Sequence, residues 1–315
     1  MTSGPLIVLL AAPRGFCAGV ERAIGAVEAA RAATDRAVYV RHEIVHNGRV
    51  VSELAAKGVV FVDEVDEIPD GAVTIFSAHG VSRAVERQAA DRGLDVVDAT
   101  CPLVRRVHHE GRRHAAEGRA LVVIGHLGHA EIEGILGRID GTVHVVGTVA
   151  EAAALDPENA ERLAYVTQTT LSVDDTREVI DVLKARFPSI VGPDVKTICY
   201  ATQNRQAAVR ALSERAQRIV VCGAPNSSNA TRLKELATFL GRPARMIAEA
   251  AELEESFVAD VSVIGLTAGA SAPEVLVRET LARLRGWREI LVEEITTTVE
   301  TTRFAPVDLG VLARR

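Results

Sequence analysis

Three cysteines, Cys17, Cys101 and Cys199, carry the chemistry to be expected of this chain. Each stands where an apolar, strand-like run gives way to a helix-like run. The chain reads LIVLLAAPRGFC before AGVERAIGAVEAA, DVVDATC before PLVRRVHHEG, and DVKTIC before YATQNRQAAVRALSERA. A thiol at a helix start meets unpaired backbone N–H groups and the positive end of the macrodipole, which favour the metal-binding thiolate. Three such thiols in three similar settings point to one shared metal or cluster. Their separations match no compact zinc or ferredoxin spacing, so the common placement carries the reading. Cys222, at the end of the apolar run IVVC, reads as a buried structural residue. Three protein thiolates on a four-iron cluster leave one iron open, a position where a substrate oxygen can be polarised. A zinc held by three cysteines with an open position is the competing reading.

The histidines come next. His46 follows Cys17, His129 follows Cys101 and Ser228 follows Cys199 at nearly equal intervals, in RHEIVHN, IGHLGH and CGAPNSSN. A second polar strand end then occurs in each third: SAHG with His79, TQTT with Thr169, and TAGAS with Ser271. A single strand-end histidine is ordinarily a surface or capping residue. Three at matching stations, joined by Ser227, Ser228, Asn229 and Ser271, form a set of hydrogen-bond donors at helix starts. Such a set suits a phosphate or diphosphate, because helix N-termini present N–H groups to anions. Arg and Lys are nearly absent from these loops, so neutral donors, imidazolium groups and helix dipoles would hold the anion.

Glu131 lies just beyond His129 in GHAEIEG. A first-turn glutamate is commonly there for the helix dipole, and Glu133 reads that way. Beside a cluster and a diphosphate, Glu131 becomes a proton carrier with its pKa raised by burial and nearby negative charge. Thr169 is placed to pass that proton to a substrate hydroxyl, better than its neighbour Thr170. His42, His108, His109, His114, His126 and His144 read as structural or exposed.

The elements that must position these groups alternate. Short β-branched runs such as Val38–Val40, Val73–Phe76, Leu121–Ile124, Ala164–Val166, Ile219–Val221 and Val261–Ile264 are separated by Ala-, Glu- and Arg-rich helical stretches. That alternation marks βαβ units and parallel sheets, whose ligand groups sit at the carboxyl ends of strands. The expected fold class is α/β, with three pseudo-threefold-related domains and mainly parallel sheets, a diverged internal triplication. The expected boundaries are 18–101, 102–195, and 196–290 closed by 1–17, followed by a C-terminal tail, 291–315.

Composition excludes several classes. The 315 residues are 48% hydrophobic and 25% charged, ample for packed α/β cores. Aromatics at 3% leave few platforms for stacking bases, and a net charge of −6 without a basic run argues against nucleic acid. Four scattered cysteines are no disulfide framework. The apolar run Leu6–Ala12 is too short to span a bilayer and lacks a basic leader, so the expectation is a cytoplasmic protein with no membrane partner. No G-x-G-x-x-G opens a helix after a strand and no P-loop appears, so the sequence does not support a nucleotide cofactor.

Nine blocks, in order, carry a family resemblance: PRGFCAGVERAI, VRHEIVHN, FSAHGVS, DATCPLV, GHAEIEG, YVTQTTLSVDDT, ICYATQNRQ, NSSN and TAGASAP. Together they resemble the 4-hydroxy-3-methylbut-2-enyl diphosphate reductases, terminal enzymes of the non-mevalonate (methylerythritol phosphate) isoprenoid pathway. The resemblance implies a trefoil of α/β domains around a central 4Fe-4S cluster with three cysteine ligands, Cys17, Cys101 and Cys199, and an open iron. It implies that His46, His79, His129, Ser227, Ser228, Asn229 and Ser271 bind the substrate, with Thr169 at its hydroxyl end. It implies Glu131 as the proton donor and an electron donor such as ferredoxin or flavodoxin. The reaction so implied is a reductive dehydration giving isopentenyl and dimethylallyl diphosphates. Two other readings stay open: a non-redox iron-sulfur hydro-lyase, and a cluster- or zinc-bearing sensor.

Overall fold

The computed structural model describes residues 4–312. The outermost parts of the first and last expected segments, 1–3 and 313–315, lie outside the described residues. The chain begins β1 (Leu6–Ala12), α1 (Ala18–Ala33), β2 (Val38–Arg41), α2 (Gly48–Ala56), β3 (Val59–Val62), β4 (Val73–Phe76), α3 (Arg83–Asp91) and β5 (Asp95–Asp98). It continues with α4 (Pro102–Ala116), β6 (Ala120–Ile124), α5 (Ala130–Leu136), β7 (Val143–Val146), α6 (Val149–Ala154), β8 (Leu163–Thr167) and α7 (Val173–Arg186). The last part is α8 (Tyr200–Arg215), β9 (Arg218–Cys222), α9 (Ser228–Phe239), β10 (Ala244–Ile247), β11 (Val263–Ala268), α10 (Glu274–Trp287) and β12 (Ile290–Thr296).

The strands form three sheets, ordered β3-β2-β4-β5, β7-β6-β8 and β10-β9-β11-β1-β12. Neighbours pair in parallel throughout these orders. Parallel neighbours need a long crossover, and the helices between the strands supply it. The α/β reading of the alternating sequence is therefore met. The N-terminal strand β1 lies between β11 and β12, so the start of the chain completes the sheet of its last part.

Period-two alternation sorts the core. Leu6, Val8 and Leu10 of β1 pack with Leu276, Val277 and Leu284 of α10, while Leu9 and Ala11 pack with Val209, Leu212 and Leu233 of α8 and α9. In the three-stranded sheet, Leu121 and Val123 meet Val107, Ile132 and Ile135, and Val122 and Ile124 meet Val179, Ile180 and Leu183. Each fully buried Leu, Ile or Val contributes about 1.5–3 kcal/mol. Strands covered on both faces must be apolar almost continuously, as ALVVI in β6 is.

By its contacts the chain separates into two compact units. One holds the five-stranded sheet, the short segment His46–Val50, and Tyr200–Arg303. The other holds the four- and three-stranded sheets, from Gly19 to Val45 and from Val51 to Cys199.

Some local features differ from those expected. DVKTIC is not a strand: beyond Gly192 and Pro193 the chain forms a 3-10 turn, Asp194–Thr197, and Thr197 Oγ1 lies 2.7 Å from Thr167 Oγ1 at the end of β8. Cys199 thus follows a turn, although it still opens a helix. The strand expected at Val261–Ile264 runs Val263–Ala268, after the Gln217 side-chain oxygen has accepted the N–H groups of Ser262 and Val263. Residues 291–296, expected in the tail, belong to β12, which pairs with β1 from Leu6↔Ile290 to Ala12↔Thr296. This is an edge strand with exposed Glu293 and Glu294, so it shows no two-faced burial pattern to read.

Candidate functional site

The three cysteines occupy one kind of position. Cys17 directly precedes α1, Cys101 is the N-cap of α4 with Pro102 after it, and Cys199 directly precedes α8. All three are partly buried and no disulfide engages them. The same backbone bond recurs at each: the amide of Cys17 donates to the Ala270 carbonyl at 3.2 Å, that of Cys101 to Ala78 at 3.0 Å, and that of Cys199 to Thr169 at 3.1 Å. The acceptors lie in the loops after β11, β4 and β8, beside Ser271, beside His79, and at Thr169 itself. In every third, the cysteine loop is joined to the loop bearing an expected substrate group.

Cys222 has different surroundings. It is fully buried, its sulfur lies 3.6 Å from Thr280 Oγ1, and burial pushes its thiol up to about 12. Burial thus favours the protonated thiol at neutral pH and disfavours Cys222 as a metal ligand. The partly exposed thiols at helix starts fit a thiolate-ligated cluster, whereas Cys222 does not. Among the described residues, no three His, Cys, Asp or Glu side chains gather as ligands of a single ion.

In the unit with the four- and three-stranded sheets, His79, His129, Glu131 and Thr169 form a connected group. His129 caps α5: its Nδ1 accepts the Glu131 amide at 3.1 Å. A neutral ring whose Nδ1 accepts carries its proton on Nε2, which is then a donor for an anion. The His79 ring meets His129 edge-to-face, with centroids 5.9 Å apart at 89°. His79 Nδ1 lies 3.2 Å from Ser77 Oγ. Its neighbour Gly80 adopts φ +79, and a Cβ there would lie 2.7 Å from His108 Cε1. His108 is buried, its Nε2 has no hydrogen-bond partner, and burial above all lowers its pKa to about 4. It acts as a neutral ring packed against the His79 turn, in line with its reading as structural.

Glu131 is buried, and both its oxygens are engaged by Thr169. The Thr169 amide donates to Oε1 and the Thr169 hydroxyl to Oε2, each at 2.8 Å. Burial raises the Glu131 pKa to about 7; the two Thr169 bonds oppose this and are outweighed. Near neutrality this carboxyl can hold a proton and yield it. The Thr170 hydroxyl instead accepts from Gln168 Nε2 at 3.0 Å, so Thr169 is the residue joined to the acid.

In the other unit, His46, Ser227, Asn229 and Ser271 are brought together. Ser271 Oγ donates to the His46 carbonyl at 3.0 Å and lies 3.3 Å from Ser227 Oγ. Ser227 is the N-cap of α9 and accepts the Ala230 amide at 3.4 Å; Ser228 is the first residue of that helix. Asn229 Oδ1 accepts the Ala270 amide at 2.8 Å, and its Nδ2 faces Thr202 Oγ1 at 3.4 Å. Ser227, Asn229 and Ser271 are buried. Sequence reasoning did not single out Thr202 or Arg205, both fully buried in α8. In the polar run YATQNRQ nothing distinguishes them from solvent-facing residues.

Among the described residues no helix is long and apolar enough to cross a membrane. The profile of the family described as LytB protein matches residues 8–285. The chain is 52% identical over 297 residues to the 4-hydroxy-3-methylbut-2-enyl diphosphate reductase of Zymomonas mobilis, covering 94% of this chain and 87% of that protein. Its fold is similar to the E-1-hydroxy-2-methyl-but-2-enyl-4-diphosphate reductase from Plasmodium falciparum, with a TM-score of 0.94 and 32% identity over 98% of each chain. A second solved structure, an (E)-4-hydroxy-3-methyl-but-2-enyl diphosphate reductase described as the terminal enzyme of the non-mevalonate pathway, aligns with a TM-score of 0.63. That likeness has 31% identity and covers 89% of this chain and 100% of the other.

Proposed function

The chain belongs to the LytB protein family, and from that premise we infer that it is a 4-hydroxy-3-methylbut-2-enyl diphosphate reductase, the terminal enzyme of the non-mevalonate isoprenoid pathway. The observation that carries this reading is the buried Glu131, doubly bonded by Thr169, in a chain that matches such reductases over nearly its full length. The reaction removes the substrate's terminal hydroxyl as water. Two electrons and two protons enter, the C–O bond breaks, and isopentenyl or dimethylallyl diphosphate results.

LytB proteins are an iron-sulfur enzyme family. We propose that Cys17, Cys101 and Cys199 hold one 4Fe-4S cluster, each thiolate favoured by its helix start. When bound, the cluster supplies electrons one at a time and offers an iron without a protein ligand as a Lewis acid. By the expected bounds, 18–101 would contribute Cys101, 196–290 with 1–17 would contribute Cys17 and Cys199, and 102–195 would contribute no cysteine.

The side chains do the rest. His46, His79, His129, Ser227, Ser228, Asn229 and Ser271 hold the diphosphate through imidazole, hydroxyl and amide donors; His129 offers Nε2–H because Nδ1 is committed to the α5 cap. Glu131 donates a proton to the departing hydroxyl oxygen. Thr169 keeps the carboxyl in place and steadies that oxygen with its own hydroxyl. Reducing equivalents come from a carrier such as ferredoxin or flavodoxin, and we place the chain in the cytoplasm.

The test is an anaerobic assay with the diphosphate substrate and a reduced carrier, with iron and sulfide measured on the same preparation. Consumption of reductant in step with both products is the expected result. Turnover without reductant would favour a hydro-lyase instead, and zinc in place of iron and sulfide would end the cluster proposal.

A further inference from the structure

We propose that Arg205 and Glu300 are positioning residues for Cys17: the segment 297–302 is a strap whose carboxylate locks a buried guanidinium onto the Cys17 loop. This rests on the reading of Cys17 as a cluster ligand.

Arg205 is fully buried in α8. A charged side chain is almost never so placed without partners that use its donors. Here the partners are carbonyls of the loop between β1 and α1. Nε donates to the Gly15 carbonyl at 3.0 Å, and Nη2 donates to Gly15 at 2.6 Å and to Phe16 at 3.3 Å. Nη1 donates to the Ala201 carbonyl at 3.0 Å and to Glu300 Oε1 at 2.9 Å, while Nη2 approaches Glu300 Oε2 at 3.4 Å. The guanidinium thus grips the two residues immediately before Cys17. Gly15 is held from its other side too, at φ +67, with its amide on the Ala268 carbonyl at 3.1 Å.

The charge balancing that guanidinium comes from beyond the last strand. The Glu300 side chain is 13% exposed and also accepts Asn204 Nδ2 at 3.0 Å. On either side of it the segment is tied to the same region. The Thr297 amide donates to the Ala12 carbonyl, where β1 ends, at 2.9 Å, and the Thr302 side chain lies beside the Tyr200 phenol. The strap therefore meets the Cys17 loop at its base and, through Arg205, at its tip. Removing the carboxylate leaves a buried cation unpaired, and such a group leaves its site or takes in water. Either response releases the Gly15 and Phe16 carbonyls and lets Cys17 wander.

The experiment reads Cys17 directly. The chain is prepared without cluster under anaerobic, reducing conditions, and the N-ethylmaleimide labelling rate of each cysteine is followed by mass spectrometry. In Glu300→Ala the Cys17 rate should rise roughly tenfold through local opening, with Cys101 and Cys199 unchanged as internal references. Glu300→Gln, which keeps an oxygen acceptor, should fall between Glu300→Ala and the parent, and it serves as the test if the alanine variant does not fold. On reconstituted protein, the same variants should lose iron to a chelator faster and show a shifted midpoint potential. Equal acceleration at all three cysteines, or none at Cys17, overturns the proposal. Labelling needs no metal, so it remains decisive for the strap even if iron analysis of the parent removes the cluster.

Discussion

Thr169 donates to Glu131 twice, from its amide to Oε1 and from its hydroxyl to Oε2, at 2.8 Å in each case. One residue thereby orients the whole carboxyl group while its own carbonyl accepts the amide of Cys199 at 3.1 Å. A proposed ligand loop and a proposed acid are thus joined through a single backbone position. The acid is poised because burial opposes ionisation while two donated bonds favour it, and burial wins.

Glu131→Gln should bind substrate and keep its iron yet lose about 10²–10⁴-fold in turnover, the usual worth of a positioned general acid. The acid must be protonated to act and its pKa is about 7, so the parent rate should fall on the alkaline side of that value. Rate–pH profiles of both proteins check this. A parent profile flat to pH 9 would remove Glu131 as donor.

The same shift has a consequence for folding. The folded value near 7 exceeds the ordinary 4.5, so the stabilising contribution of the protonated carboxyl is complete below pH 4.5 and lost as pH rises to about 7. Across that window the parent should weaken relative to Glu131→Gln by roughly 3 kcal/mol. Urea unfolding of both proteins at several pH values measures the difference; parallel curves would contradict it.

Thr169→Val removes the hydroxyl donor and leaves the amide bond. It should cost about 1–2 kcal/mol of stability and move the alkaline limb of the rate profile to higher pH, because ionised Glu131 loses one of its two supports. An unmoved limb would mean that the hydroxyl does not act on the carboxyl.

His129 carries two roles that substitution can separate. Asn is a good N-cap, so His129→Asn should unfold close to the parent, whereas His129→Ala should be destabilised by about 1 kcal/mol. Both lack the Nε2 donor, and both should bind inorganic diphosphate about tenfold or more weakly, the loss of one good hydrogen bond to a charged group. Thermal melts and diphosphate inhibition distinguish the two effects; unchanged inhibition in both would release His129 from anion binding.

Cys222→Ser should retain full iron and sulfide, since this thiol is buried, protonated and paired with Thr280. The same change at Cys101 should lose the cluster. Loss of iron in Cys222→Ser would overturn its structural assignment.

Much of this protein was legible in one dimension. Alternating β-branched and Ala-rich runs announced parallel sheets, since strands such as β6 and β8, buried on both faces, must be apolar nearly throughout. Three cysteines announced their helix starts because an apolar run ending at a thiol, with Pro102 or an alanine-rich stretch following, leaves few other conformations. The stations of His46, His79, His129, Thr169 and Ser271 could be read from the sequence because position relative to a strand end is itself a one-dimensional property.

Other features were decided only when the chain closed on itself. Edge strand β12 is paired by its neighbour β1, and its exposed glutamates leave no trace of that in hydrophobic pattern. The burial that lifts Glu131 to about 7, and the two Thr169 bonds that oppose it, arise only when the start of α5 meets the loop after β8. Arg205 reads like any helical arginine until Gly15, Phe16 and Glu300 surround it. Local sequence determines which backbone a segment can adopt and which chemistry it carries; desolvation and pairing arise from groups far apart in the chain, and so they belong to the tertiary structure alone.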